Sequence, residues 1–116
     1  MELSELLSRR CVERPKGSPT LAREEAGRLL PLVPGWELGA DGGALRWRRR
    51  FADFAAAMAF VDRVAALAES EGHHPDIRVH SYRWVELALS THSIGGLSEN
   101  DFILAAKTNR LLEGDA

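Results

Sequence analysis

Four histidines fall between positions 73 and 92 of a chain of 116 residues. His73-His74-Pro75 follows a long apolar segment, and His92 closes a run of alternating apolar residues that ends at Thr91. Imidazole changes charge near neutral pH, so a cluster of imidazoles suits general acid–base chemistry. If Ser81 to Trp84 form a hairpin turn, antiparallel partners sum to roughly 165 in residue number. His73 then lies across from His92, and His74 across from Thr91. Asp101 stands one turn into a following helix, and the loop Ser93 to Leu97 can fold it back towards these imidazoles. The positive end of that helix would join the site. Ser98-Glu99-Asn100-Asp101 also fits a capping box, so this carboxylate has a structural reading beside the functional one. His80, near the turn and away from the other three, reads as a solvated polar residue.

Other chemistries fit less well. Adjacent histidines on an extended segment point to opposite sides, so His73 and His74 are poorly placed to share one metal ion. The spacing is unlike HExxH, and no thiolate lies nearby. Cys11 is the one cysteine, which rules out an internal disulfide or a CxxC clamp. There is no GxSxG, no phosphate-binding glycine loop and no dinucleotide fingerprint. What remains is metal-free general acid–base chemistry near neutral pH.

The elements that must position these groups follow from patterning. Residues 1–19 carry little periodicity and end in Pro15-Lys16-Gly17-Ser18-Pro19, which reads as an N-terminal arm ahead of a domain over 20–116. Thr20 is a candidate N-cap for a first helix with Ala22, Ala26, Leu29 and Val33 on its apolar face, ended by Pro31 and Pro34. Strands over Trp36–Ala40 and Ala44–Phe51 flank the turn Asp41-Gly42-Gly43. In the second strand Leu45, Trp47 and Phe51 share one face, with Arg49 intruding. Arg46, Arg48 and Arg50 share the other, read as a solvated sheet face although such a stripe could grip phosphates.

Asp53 can cap a second helix over Phe54 to Glu71. It bears two apolar stripes: Phe54, Met58, Val61, Ala65 and Ala68, and beside them Ala56, Phe60, Val64 and Leu67. Together they cover about 200° of the helix, more than one packing face requires. One stripe can meet the sheet, and a second subunit is the economical cover for the other, so a homo-oligomer is expected. Strands over Asp76 to His80 and Arg83 to Thr91 come next. Gly95-Gly96 breaks the chain, and Ser98 starts a third helix with Phe102, Ala105, Ala106 and Asn109 to Leu112 inward. The order α-β-β-α-β-β-α with hairpins predicts an α+β two-layer sandwich: a four-stranded antiparallel sheet with three helices on one face.

Composition agrees with one globular domain, at 45% hydrophobic and 28% charged residues. A net charge of −2 argues against direct nucleic-acid binding or attraction to anionic lipid. No apolar run approaches the roughly 20 residues that span a bilayer, and Met1 to Val12 lacks the apolar block of a signal peptide, so a cytoplasmic protein is expected.

Taken together, Glu69-x-x-x-His73-His74-Pro75-Asp76, Tyr82, Leu89-Ser90-Thr91-His92 and Gly96-Leu97-Ser98-x-x-Asp101-Phe102 resemble the pterin-4a-carbinolamine dehydratase family. The similarity reaches back through Val64-Ala65, Ala59-Phe60-Val61 and Phe54 to Leu32-x-Pro34-Gly35-Trp36, and covers about residues 20 to 112. It implies dehydration of 4a-hydroxytetrahydropterin to quinonoid dihydropterin, in tetrahydropterin recycling, with no metal or cofactor. On this resemblance His73, His74 and His92 are the acid–base and substrate-binding residues. Asp101 would line the site and orient an imidazole, and Glu69 would assist. Members are dimers or tetramers. Other relatives are non-catalytic, serving as a dimerisation partner of a transcription factor or as Rubisco assembly helpers. Two departures stand out. The tract from Pro75 to Tyr82 is one residue longer than in common members, implying a longer turn or a bulge. The arm resembles a bacterial extension that often carries Cys-x-x-Cys, but here Arg14 follows Cys11 at the second site.

Overall fold

The fold of residues 1–113 is described by a computed structural model. The elements are α1 (Leu3–Ser8), α2 (Arg23–Leu29), β1 (Glu37–Leu38), β2 (Leu45–Arg50), α3 (Phe54–Glu71), β3 (Asp76–His80), β4 (Trp84–Leu89) and α4 (Glu99–Glu113), with short 3-10 turns at Leu30–Leu32 and His92–Ile94. The strands form one antiparallel sheet in the order β1-β2-β4-β3. The expected α+β sandwich is therefore present, with helices against one sheet face.

Alternation decides which face that is. Val85, Leu87 and Leu89 of β4 and Leu45 and Trp47 of β2 are buried, and they meet Phe60 and Val64 of α3 and Phe102 to Ala106 of α4. An aromatic chain runs through this layer: Trp36 stacks on Trp47 at 6.0 Å, Trp47 meets Phe60 at 5.4 Å, and Phe60 meets Phe51 at 5.1 Å. Such pairs add about 0.5–1.5 kcal/mol each beyond the area they bury. Asn109 closes the chain's far end, accepting from Trp36 Nε1 at 3.1 Å and donating to the Pro34 carbonyl at 3.0 Å. On the opposite sheet face Arg46, Arg48 and Arg50 are solvated or half covered, with Arg48 over the Trp84 ring at 5.4 Å.

α3 runs over the expected residues because both ends carry cap chemistry. The Asp53 side chain accepts from Ala56 N at 2.8 Å. At the other end Gly72 takes φ 65°, and the His73 N–H bonds back to the Ala68 carbonyl at 3.2 Å. Of its two stripes, the one with Phe60 and Val64 packs on the sheet. Phe54 is 54% exposed, and Met58 and Val61 lie half-buried on the outer flank.

Three local expectations change. The first domain helix starts at Arg23 with Ala22 at its N-cap, not at Thr20, whose methyl lies where a Cβ on Gly96 would stand 2.8 Å away. The β3–β4 register pairs Asp76 with Ala88 and His80 with Trp84, so the loop is Ser81-Tyr82-Arg83 and the partner sum is one lower than expected. Ser81 and Tyr82 both hold positive φ, 49° and 51°. The ladder is uninterrupted there, which makes the departure a turn and not a bulge.

The third concerns the residues before Thr20, which do not stand apart from the core. They form α1, whose Leu6 is fully buried, and which packs on α4. Polar groups fasten the segment behind it. Lys107 Nζ donates to the Arg9 carbonyl at 2.7 Å and to Glu71 Oε2 at 2.6 Å, while Cys11 N donates to Glu71 Oε1 at 2.8 Å. Burial alone would raise the Glu71 carboxyl, but hydrogen bonds from Lys107 and Cys11 and the Lys107 charge hold it below its ordinary value. Burial, then the nearby Glu71 charge, pushes the Cys11 thiol up to about 12.

Two outcomes follow. A lowered folded-state value means the Glu71 contribution is full above the ordinary carboxylate range, about pH 4.3, and is lost as pH falls through that lowered value. Urea unfolding should show Glu71→Gln clearly less stable than wild type at pH 7, with a gap that narrows as pH is lowered to 3; an equal gap at both would refute this account. In the folded protein at pH 8, Cys11 should react with a thiol reagent at least about tenfold slower than in urea, since the thiolate is the nucleophile.

Candidate functional site

Each histidine of the cluster is set by a different backbone device. The left-handed Gly72 and the hydrogen bond to Ala68 turn the chain sharply out of α3, which fixes His73 at the helix end. Pro75 then favours extended backbone and starts the chain towards β3. His92 opens the 3-10 turn after β4. That turn is closed by Thr91 N–H to the Gly96 carbonyl at 2.8 Å and by Gly95 at φ 70°.

His73, His74 and His92 line one cavity of about 380 Å³, together with Ser90, Thr91 and Asn100 and a stretch of the N-terminal segment. That volume is in the range of small-molecule sites. The lining is mixed: imidazoles, hydroxyls and the Asn100 amide stand beside the apolar surface of Val12 and Pro15. A larger groove, about 660 Å³, crosses the open sheet face among Glu37, Arg46, Arg48, Asp76, Arg78 and Glu86. It mixes charges of both signs, and none of the clustered histidines line it.

Asp101 lies beneath this cavity, fully buried, and not on its wall as expected. One oxygen, Oδ1, accepts from His73 Nε2 at 2.6 Å. The other, Oδ2, accepts from Thr91 Oγ1 at 2.8 Å and from Ser98 N at 3.0 Å. Ser98 Oγ in turn accepts from Asn100 N at 3.2 Å, completing a capping box at the start of α4. The two oxygens of Asp101 thus have separate partners: Oδ2 serves the start of α4 and the Thr91 hydroxyl, and Oδ1 holds His73. An acceptor carboxylate requires the proton of His73 on Nε2, which leaves Nδ1 as the nitrogen free to exchange a proton.

The remaining groups are looser. His74 Nε2 is 3.4 Å from Glu69 Oε2, with both side chains well exposed, so this pair is weak and solvent-screened. Glu69 itself is not part of the cavity wall. His80 sits at the hairpin, 2.6 Å from Glu86 and stacked on Trp84, away from the cluster. Among the described residues no group of three His, Cys, Asp or Glu is arranged to hold a metal ion.

Thr91 is the residue that sequence reasoning passed over. Extending the observed register brings His73, not His74, opposite Thr91, and Thr91 continues the inward series Val85, Leu87 and Leu89. A hydroxyl at the next inward position of a buried strand was the available signal, since a buried hydroxyl needs a partner.

Comparison with known proteins places the chain among relatives of one family. The family described as pterin 4 alpha carbinolamine dehydratase matches residues 19–111. A Stenotrophomonas maltophilia protein named "Putative pterin-4-alpha-carbinolamine dehydratase" is 49% identical over 112 residues, covering 97% of this chain and 96% of its own. A Xanthomonas oryzae protein of the same name is 50% identical over 103 residues, covering 89% and 86%. Among solved structures, a transcriptional coactivator/pterin dehydratase from Brucella melitensis superimposes with a TM-score of 0.74 at 31% identity, over 80% of this chain and 98% of that one. A pterin dehydratase-like protein described as a RuBisCO assembly factor in the alpha-carboxysome gives 0.57 at 29% identity, over 66% and 88%. With a family match spanning most of the chain and relatives near half identical along it, this protein belongs to the pterin 4 alpha carbinolamine dehydratase family.

Proposed function

We propose that the protein dehydrates 4a-hydroxytetrahydropterin to quinonoid dihydropterin by histidine acid–base catalysis, as a step of tetrahydropterin recycling. The observation that carries the reading is His73, held by a buried carboxylate at the wall of a cavity shared with His74 and His92. The reaction breaks the C4a–O bond as an acid protonates the hydroxyl, and water departs. A base takes the N5 proton, and the N5–H electron pair becomes the C4a=N5 bond. His73 suits the base, because Asp101 fixes its tautomer and stabilises the imidazolium that forms. His74 and His92, open to solvent, suit delivery of the other proton and its replenishment. Glu69 assists His74. The reading includes no resident metal or cofactor and a cytoplasmic location.

The outer stripe of α3 supports a homo-oligomer within the same proposal. Phe54, Met58, Val61 and Ala65 recur at helical spacing on the flank turned away from the sheet. Pairing that flank with a symmetry mate would cover it. A second reading, a non-catalytic dimerisation or assembly module, is favoured by what the two structural neighbours are named for. It needs the fold and the helix flank but not the Asp101–His73 pair.

Steady-state dehydration separates the two. Wild type should accelerate the reaction, and His73→Ala and His92→Ala should each lose about 10²-fold or more in rate. Asp101→Asn should fall with His73→Ala, because an amide cannot serve all three donors that converge on it. Full activity in both histidine variants would reject the assignments, and an inactive wild type would favour the assembly reading. In light scattering, wild type should be a dimer or tetramer and Phe54→Glu should shift it towards monomer. Phe60→Glu is not a test of this contact, since Phe60 is buried against the sheet and a charge there would unfold the chain.

A further inference from the structure

The wall of the histidine cavity opposite the imidazoles comes from a part of the chain outside the family match. Val12 to Lys16 line it, whereas the family match begins at residue 19. These residues are anchored and not merely draped. Asn100 on α4 clamps Val12 through both backbone groups, donating to its carbonyl at 2.7 Å and accepting from its N–H at 3.1 Å. Ser93, in the turn that carries His92, donates to the Arg14 carbonyl at 2.6 Å. Arg14 is therefore fixed between the element that bears Asp101 and the one that bears His92.

Its side chain is under-used. Nη2 makes one long hydrogen bond, 3.3 Å to Asn100 Oδ1, and Nε is buried with no hydrogen-bond partner. No carboxylate pairs with Arg14 among the described residues, whereas Arg9 pairs with Glu5 and Glu99, and Arg28 with Glu25. A guanidinium offers five donors in a planar fork that matches carbonyl and carboxylate oxygens. The rest of the lining supplies imidazoles, hydroxyls and the Asn100 amide, and its other charged groups, Glu13 and Lys16, are exposed, so Arg14 is the half-buried cation of the cavity.

We propose that Arg14 is a substrate-binding residue, donating to the lactam carbonyl of the fused pyrimidinone ring, the oxygen-bearing carbon that adjoins C4a. This rests on the dehydratase reading above for the identity of the ligand. Arg14 exchanges no proton. It orients the ring so that C4a and N5 face the imidazoles, and it gives the N-terminal segment a part in substrate selection.

The experiment is steady-state dehydration by the full chain, with 7,8-dihydrobiopterin as a probe of binding alone. Arg14→Gln should raise KM about tenfold or more, the scale of one hydrogen bond to a charged group. Its kcat should stay within about twofold and its pH–rate profile should be unchanged, and dihydrobiopterin should bind correspondingly weaker. A residue that served only to hold the arm would lower the unfolding midpoint and leave KM unchanged. Arg14→Lys keeps charge and stem but loses the fork, so it should also raise KM; it is the deciding variant if Arg14→Gln fails to fold. An active wild type whose Arg14 variants keep KM and probe affinity overturns this assignment and leaves the dehydratase reading standing. A wild type that neither dehydrates nor binds the probe overturns both.

Discussion

The structure depends on one buried carboxylate and the direction in which protons are offered to it. Thr91 Oγ1 bonds both Ser98 Oγ and Asp101 Oδ2. A hydroxyl has a single hydrogen, so the donation to Asp101 obliges Ser98 to donate to Thr91. Ser98 N–H and His73 Nε2–H point at the same carboxylate, and Asn100 N–H points at Ser98. Every donor runs one way. Such a network in a low-dielectric interior is worth having only when complete, because each unpaired member would carry its own desolvation cost. The start of α4, the end of β4 and the exit from α3 are thereby joined at the group that sets the tautomer of His73. Helix capping and imidazole orientation are one structural event here.

Legibility in the sequence tracks how local the determining physics is. The start of α3 could be read from Asp53 because a cap acts within a few residues. The inward parity of Val85, Leu87 and Leu89 was equally plain, since alternation is a property of the strand itself. The choice between the two stripes of α3 was not, because periodicity shows that both are apolar without saying which one the sheet selects. The convergence of the histidines was visible from hairpin counting. Its finer register depended on a loop in which Ser81 and Tyr82 take positive φ, a conformation neither residue type announces.

The arm was the least legible part, for a related reason. Leu3, Leu6 and Leu7 keep helical spacing, but a helix of six residues is too brief for that pattern to stand out. The contacts that bind Cys11, Val12 and Arg14 reach residues 60 to 90 positions away. Asn100 and Glu71 act there as clamps for backbone groups, and no local pattern marks a clamp. Asp101 posed the converse problem. Its capping motif was readable, but its depth was not, since depth is set by how α4 lies over the sheet.

The three-residue loop between β3 and β4 acts as a ruler. α3 is held by Phe60 and Val64, and β4 by its inward series, so neither end of the stretch from Gly72 to Thr91 can slide. β3 is an edge strand with little buried surface, Ile77 being 38% exposed, and is the one segment there free to shift. Removing one loop residue would push β3 along its neighbour and exchange its two faces. His73 would stay at the end of α3, while His74 and the residues of β3 turned over relative to β4. Length variation at this hairpin is therefore a way for such a chain to keep its fold while re-aiming His74 relative to His73 and His92.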